Sequence, residues 1–339
     1  MRKILFVLLI FAGMLTESFA QDPQFSQYYA APLYLNPAFT GASGQGRAGL
    51  NYRNQWPSID ANFTTYSAYA DYYFDDFNSG LGLLILHDEV ADVGMNQTQI
   101  GLNYAYQLRL SETFTFRPGV EAQYVLQSLN FSDLRFADQY NGSDFELPTN
   151  EDLGGGDNIG YFNLAFGGLL YSENFWIGGA VHNLTEPNQS YVSGDNPRLR
   201  RISVHGGYRF PLPAGPGYKG RNRDGLERTI TPTFQYKMQG DFDQLDAGVY
   251  ATLEPVVIGI WYRGLPFKPL NDQANNESVV LLVGFTSDNL QIGYSFDYTV
   301  SRLGIASGGA HEISLTYLFN LADPRRPPKN VRQIPCPRF

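Results

Sequence analysis

Four histidines, at 87, 182, 205 and 311, are the side chains best suited to moving protons near neutral pH. None sits at a His-x-x-x-His spacing or beside a Cys/His group, so a metal site is not indicated. No Gly-x-Ser-x-Gly stretch is present to raise a serine on a nucleophile elbow. His205 shares one face of a strand-like stretch with Ser203, an ordinary place for a lone histidine. A Ser, His and Asp brought together across strands would escape any reading of sequence order. The acids Asp133, Asp138, Asp144, Glu146, Glu151, Asp152 and Asp157 gather between 129 and 159 without EF-hand spacing, which favours a solvated loop over a calcium site. Cys336, the single cysteine, lies between Pro335 and Pro337, where a thiol can cross-link or lie inert but cannot form an intrachain disulfide. The residues suited to chemistry are therefore scattered. The expectation is no enzyme, no catalytic residue, no metal and no cofactor.

The elements that would have to position such residues say more. Arg2 and Lys3, an apolar run Ile4–Met14 and Ser18-Phe19-Ala20 form a secretory signal over residues 1–20, with cleavage expected at Ala20/Gln21. The apolar run is too short for a spanning helix, which needs about 20 residues. Arg2 and Lys3 leave with Glu17, so a formal charge of −9 becomes −10. An acidic chain without basic runs speaks against nucleic acid. Charged residues make up 17% and aromatics 15%, with 23 Tyr, 24 Phe and 35 Gly. Rings to cover a lipid face, with glycines and small polar residues for the other, are what a transmembrane barrel requires.

Period-two alternation recurs from about residue 47 to 319. Thr98, Ile100, Leu102, Tyr104, Tyr106, Leu108 and Leu110 fall on one face, against Gln97, Gln99, Gly101, Asn103, Ala105, Gln107 and Arg109 on the other. The same division holds for Leu290, Ile292, Tyr294, Phe296 and Tyr298 against Gln291, Gly293, Ser295, Asp297 and Thr299. It holds again for Phe114, Phe116, Val120, Tyr124 and Leu126 against Thr115, Arg117, Glu121, Gln123 and Gln127. An apolar face toward lipid and a polar face toward a wet lumen account for this pattern. The segments are 47–54, 63–74, 80–87, 96–110, 113–128, 160–172, 174–182, 199–210, 227–239, 242–253, 256–263, 276–287, 290–299 and 309–319. The expected fold is all-β, a transmembrane antiparallel barrel of about 14 strands, preferred over a soluble sandwich or propeller because no repeat, disulfide or two-sided apolar core is present.

Connections carry independent information. They are tight at Ser111-Glu112, Glu173-Asn174, Glu254-Pro255 and Asp288-Asn289, and longer after strands one, three, five, seven, eleven and thirteen. Short turns on one side and long loops on the other is the outer-membrane pattern, with the short side periplasmic. Both termini are then expected in the periplasm. The connection 211–226 breaks the rule by being long on the short side, and Gly240-Asp241 is short where a loop is expected. Either a strand is miscounted or 211–226 is a periplasmic loop kept for a partner; the miscount is the favoured reading.

Two segments fall outside the barrel of residues 47–319. Residues 21–46 hold three prolines and a cluster of rings, which rules out a regular helix or central strand. Such rings need cover, in the barrel mouth or against a partner, so Phe25, Tyr28, Tyr29, Tyr34 and Phe39 are candidate partner contacts. Residues 320–339 carry five prolines and Arg325, Arg326, Lys329, Arg332 and Arg338 against the single acid Asp323. A basic, Pro-rich periplasmic tail reads as a docking segment or as a solubilising one. The strand before it, His311 to Phe319, ends on an aromatic residue in the manner of a barrel-closing strand.

The stretch Asp22-Pro23-Gln24-Phe25-Ser26-Gln27-Tyr28-Tyr29, continued by Pro32-Leu33-Tyr34-Leu35-Asn36-Pro37-Ala38-Phe39-Thr40-Gly41, closely resembles the opening of the PorP/SprF family of Bacteroidetes outer-membrane proteins. Tyr52-Arg53-Asn54-Gln55-Trp56-Pro57 is similar to that family's first strand and following turn. Cys336-Pro337-Arg338-Phe339 is similar to the endings of SprF-like members. The resemblance implies a component of type IX secretion and gliding motility, without a shared catalytic set. Its SprF-like side implies, as partners, a large secreted adhesin, engaged through its C-terminal domain, and other secretion components. A general porin is the alternative, resting on the polar lumen face.

Overall fold

The computed structural model describes residues 22–91, 94–131, 134–141, 144, 148, 158–191, 194–212, 228–270, 273–301, 304–320 and 334–337. The expected signal sequence lies outside them. So do most of the acidic loop and the basic residues Arg325, Arg326, Lys329, Arg332 and Arg338.

Fourteen strands run antiparallel among the described residues. They are β1 (Gly46–Gln55), β2 (Phe63–Phe74), β3 (Ser79–Val90), β4 (Met95–Tyr106), β5 (Thr115–Leu129), β6 (Asn158–Tyr171) and β7 (Phe175–His182). The second half holds β8 (Arg201–Tyr208), β9 (Arg228–Gln239), β10 (Phe242–Leu253), β11 (Val256–Leu270), β12 (Gln273–Thr286), β13 (Leu290–Thr299) and β14 (Ala310–Phe319). Leu108–Arg109 and Phe210–Pro211 continue β4 and β8 in unchanged register after one-residue breaks. Each strand pairs with its sequence neighbours, and β1 pairs β14 from Gly46 against Phe319 to Gln55 against Ala310. The ring is closed. No wall strand presents an open edge, the condition for spanning hydrocarbon without orphaned backbone groups.

The outward face is the apolar one. Leu102 and Phe162 are 67% and 76% exposed, and Leu50, Ile258, Val283 and Tyr317 belong to the same exposed belt. A water-soluble chain rarely leaves so wide an apolar surface uncovered, whereas a barrel turns it to lipid. The inward alternates Gln97, Gln99, Asn103, Arg117, Glu121, Gln123, Asp297 and Thr299 are buried.

The strand count reads correctly from sequence, so the favoured miscount is wrong. The β9–β10 connection is the two-residue turn Gly240-Asp241, with Gly240 at φ 58°. The long β8–β9 connection is real as well, although residues 213–227 lie outside the described set. A second difference concerns the eleventh connection, expected to be a loop. After a register shift at Arg263/Gly264, β11 runs on to Leu270 and β12 begins at Gln273. The bulge absorbs an extra residue and lets the pairing continue where the alternation fails.

β1 starts at the end of the barrel that carries the tight turns, here the turn end, and finishes at the loop end. Asp22 sits at the loop end against Arg198 and Gln239, while Gln45 lies at the turn end beside Arg47. Residues 22–45 therefore run the length of the lumen. Ile334–Pro337 lie in the turn-end mouth with Glu254, Asp288 and Leu318. The first and last described residues are thus at opposite ends of the barrel, unlike the expectation that both chain ends share one side. The cause is the threaded segment, which carries the chain from the loop end through the lumen to the turn end, where β1 begins.

Candidate functional site

The lumen is a packed interior built around residues 22–45. Pro32 opens a single helical turn, Pro32–Leu35, and Pro37 opens a 3-10 turn, Pro37–Phe39. Proline suits both first positions because its missing N–H would have had no partner there. Asn36 caps the second turn, its Oδ1 accepting the Ala38 N–H at 2.9 Å. Its Nδ2 donates to the wall, to Gly168 O, Gly179 O and His205 Nε2 at 3.2, 3.1 and 3.2 Å. One asparagine thus shapes the strap and fastens it to β6, β7 and β8.

Three groups of charged side chains clamp the strap from loop end to turn end. At the loop end, Arg198 Nη2 and Nε reach Asp22 Oδ1 at 2.6 and 2.9 Å, and Arg201 lies 3.3 Å from Oδ2. Arg201 also donates to the Tyr34 hydroxyl and stacks over that ring at 4.5 Å. Midway, Glu312 accepts the backbone N–H groups of Ser26 and Gln27 at 2.7 and 2.9 Å. Ser26 Oγ donates to Asp297 at 2.6 Å and accepts from Arg53 and Arg263 at 2.7 and 2.9 Å. Arg263 bridges Asp246 and Asp297 at 2.7 and 2.8 Å, and Arg53 bridges Asp297 and Glu312 at 3.0 and 3.2 Å. Near the turn end, Asp71 takes Arg47 in a two-point contact at 2.9 and 3.0 Å and accepts the Gly41 N–H at 2.6 Å. Arg117 donates to the Ala38 and Thr40 carbonyls. Charge-assisted bonds of this kind are about twice as strong as neutral ones.

Between the clamps the fit is apolar. Tyr28, Tyr29, Leu35 and Phe39 pack on inward Trp176, Tyr250, Val257 and Trp261, with Ile334 closing the cluster from the turn end. A wet polar lumen was expected here, but wall positions opposite the rings are themselves apolar. Backbone meets backbone at two wall glycines. A Cβ on Gly119 would stand 2.4 Å from Ala38 N, and one on Gly80 2.4 Å from Thr40 O. Gly119→Val should therefore push the 37–39 turn off the wall and cost roughly 1–3 kcal/mol. Gly179→Ala, with 3.5 Å of room, should cost little. Urea midpoints of the two variants check this, and equal midpoints would refute close seating of the turn.

The predicted contact residues are thus brought together, but inward. Phe25, Tyr28, Tyr29 and Phe39 are buried and Tyr34 nearly so. In this arrangement their rings are spent on the barrel's own wall. Sequence reasoning missed Arg47, Arg53, Asp71, Asp246, Arg263 and Glu312. The available signal was a charge at an inward position of an alternating strand, where burial demands a partner.

The hydrogen-bond partners of the four histidines are neither serines nor carboxylates. They are Thr98 for His87, the Leu35 carbonyl for His182, Asn36 for His205 and Tyr294 for His311. Among the described residues no group of three His, Cys, Asp or Glu side chains could hold a metal ion.

A closed, fourteen-stranded antiparallel barrel with a lipid-facing apolar belt is a bacterial outer-membrane protein. Residues 17–317 match the family model described as type IX secretion system membrane protein PorP/SprF, and the chain belongs to that family. It is accordingly an outer-membrane component of type IX secretion. No curated protein sequence matches it. Among solved structures it is similar to the Pseudomonas putida toluene transporter TodX, at 10% identity over 85% of this chain and 93% of that one, with TM-score 0.47. A Pseudomonas aeruginosa FadL homologue is 11% identical over 86% and 94%, with TM-score 0.43. Acinetobacter baumannii Omp33 is 10% identical over 81% and 98%, with TM-score 0.41.

Proposed function

We propose that the protein is a non-enzymatic, plugged outer-membrane platform of type IX secretion. It holds, or helps to export and anchor, a large surface adhesin through the adhesin's C-terminal domain. The observation that carries this reading is the strap of residues 22–45, which runs through the lumen from end to end and packs against its wall. A general porin needs an open route through its lumen. With every wall strand paired on both sides, a partner has only the mouths, loops and tail to grip. Short turns on the periplasmic side would direct the basic tail, with Arg325, Arg326, Lys329, Arg332 and Arg338, toward the secretion machinery.

Two measurements test the reading. Purified protein in planar bilayers should show no steady conductance; a stable open channel would return the porin reading. Deletion of the encoding gene should leave at least one large exported protein missing from the cell surface and retained inside. Normal display of every such protein would defeat the proposal.

A further inference from the structure

A cavity of about 380 Å³ opens at the loop end beside the start of the strap. We infer that it is a binding site for one neutral saccharide unit of pyranose size. The inference does not depend on the export role. Its volume falls in the range of small-molecule sites, roughly 300–1,000 Å³.

One side of the cavity is apolar and aromatic. The rings of Trp56 and Phe63 stand edge to face at 5.6 Å, with Val90 and Met95 beside them. Trp56 has φ 58°, a left-handed conformation that a bulky residue adopts at a cost, and its N–H is tied to Gly309 O at 2.7 Å. Strain of this kind persists where the surroundings over-determine a position, and it clusters at binding sites. Here it holds a half-buried indole over the cavity.

The rest of the lining is mostly polar and incompletely satisfied. Gln127 Oε1 and Arg53 Nε are buried without a hydrogen-bond partner, on residues only 3% and 2% exposed that both line the cavity. One is an acceptor and the other a donor, and leaving such groups unpaired is costly. A hydroxyl can serve either, since it both donates and accepts. Asp88, which accepts the Thr65 hydroxyl at 2.6 Å, offers a further acceptor.

The charge inventory selects a neutral ligand. Arg53 is matched by Asp297 and Glu312, and Arg198 by Asp22. The lining residues Arg53, Arg198, Asp22 and Asp88 balance, so an anion finds no spare cation and a cation meets two guanidiniums. An extended peptide gains little, because no wall strand offers a free edge to its backbone. A compact unit with one apolar face and several hydroxyls remains. That is a pyranose, presented at one ring face to Trp56 and at its rim to Gln127, Arg53 and Asp88.

The test uses the full mature chain in detergent and a panel of glucose, galactose, mannose, N-acetylglucosamine, maltose and cellobiose, read by tryptophan fluorescence and calorimetry. The other two tryptophans, Trp176 and Trp261, are buried in the lumen, so a response reports on Trp56. At least one sugar should give saturable binding. Gln127→Ala and Trp56→Ala should each weaken it tenfold or more with the heat-modifiable folded band intact, and Trp56→Phe should remove the optical signal while calorimetry still detects binding. In lipid nanodiscs, a response already saturated by lipopolysaccharide would make the membrane's own sugars the source, and an unchanged response would point to a free or protein-borne glycan. No binding by any of these sugars, or affinity unchanged in Gln127→Ala, overturns the assignment. So does binding confined to butylammonium or a lysine-rich peptide and lost in Asp88→Asn.

Discussion

Deleting residues 22–41 from the mature chain should turn a barrel that passes no steady current into an open pore. Fourteen strands enclose more space than wall side chains fill. Barrels of about eight strands are closed by their own side chains, whereas those of 16–18 leave an aqueous channel. The strap supplies the difference, placing Tyr29 and Phe39 toward the turn end, Ser26 and Gln27 toward the loop end, and Tyr28 and Leu35 between them. Planar-bilayer recording reads the result. Folding is checked separately by the mobility shift of the heated against the unheated protein on a gel. Because the rings contribute to the core, the shortened chain could be unstable, and a second route is to return the strap as a synthetic peptide of residues 22–41. Block of the current by that peptide, and not by a scrambled one, would establish occupancy. A folded but silent deletion variant would show that something else closes the lumen.

The barrel was legible in the sequence because its signal is local and repeated. The alternation of Gln99 to Gln107 or Leu290 to Thr299 survives in the burial of the folded chain, whereas Arg109, expected to face inward, is exposed near the turn. The tight turns at Ser172 and Ser287, closed by 2.8 Å backbone hydrogen bonds to Phe175 and Leu290, are just as local. What sequence could not give was the pairing across the lumen. Ser26 meets Glu312 and Asp297 at separations of 286 and 271 residues, and nothing in the neighbourhood of either residue announces the other. The aromatic run was recognised as needing cover, yet its cover proved to be the chain itself. The same limit applied to the bulge at Arg263/Gly264, where an inward arginine interrupts the register and turns an expected loop into a longer hairpin.

The threaded strap also decides which faces remain for other molecules. Had the aromatic segment lain outside the barrel, its rings would have formed an exposed apolar patch of the kind that seeks a partner. Inside, they are covered on all sides, and the turn-end mouth is narrowed further by Ile334–Pro337 beside a cavity of about 500 Å³. Contacts with a secretion partner then fall to surfaces that can vary without disturbing the wall, which suits a family whose members serve one machine.

The second large effect is expected at Arg263, which is fully buried and donates to Asp246, Asp297 and Ser26. Arg263→Ala should cost roughly 3–5 kcal/mol of stability, the usual result of stranding one partner of a buried ion pair. The two carboxylates fare differently. Asp297 keeps Arg53 at 3.0 Å, whereas Asp246 keeps the Gln244 side chain at 3.1 Å and the more distant charge of Lys237, with no direct ion pair among the described residues to replace Arg263. The loss should therefore be dominated by Asp246, and removing that charge as well should restore most of it. In equilibrium urea unfolding from lipid vesicles, Arg263→Met with Asp246→Leu should lie much closer to the parent chain than Arg263→Ala does. The Ser26 anchor distinguishes a clamp on the strap from a pair that merely staples β10 to β11. If Arg263 holds the strap, even the rescued double variant should flicker open in bilayers, because stability returns without the bond to Ser26 Oγ. A double variant both stable and silent would assign Arg263 to the wall alone and leave Glu312 and Arg53 to hold the strap at mid-lumen.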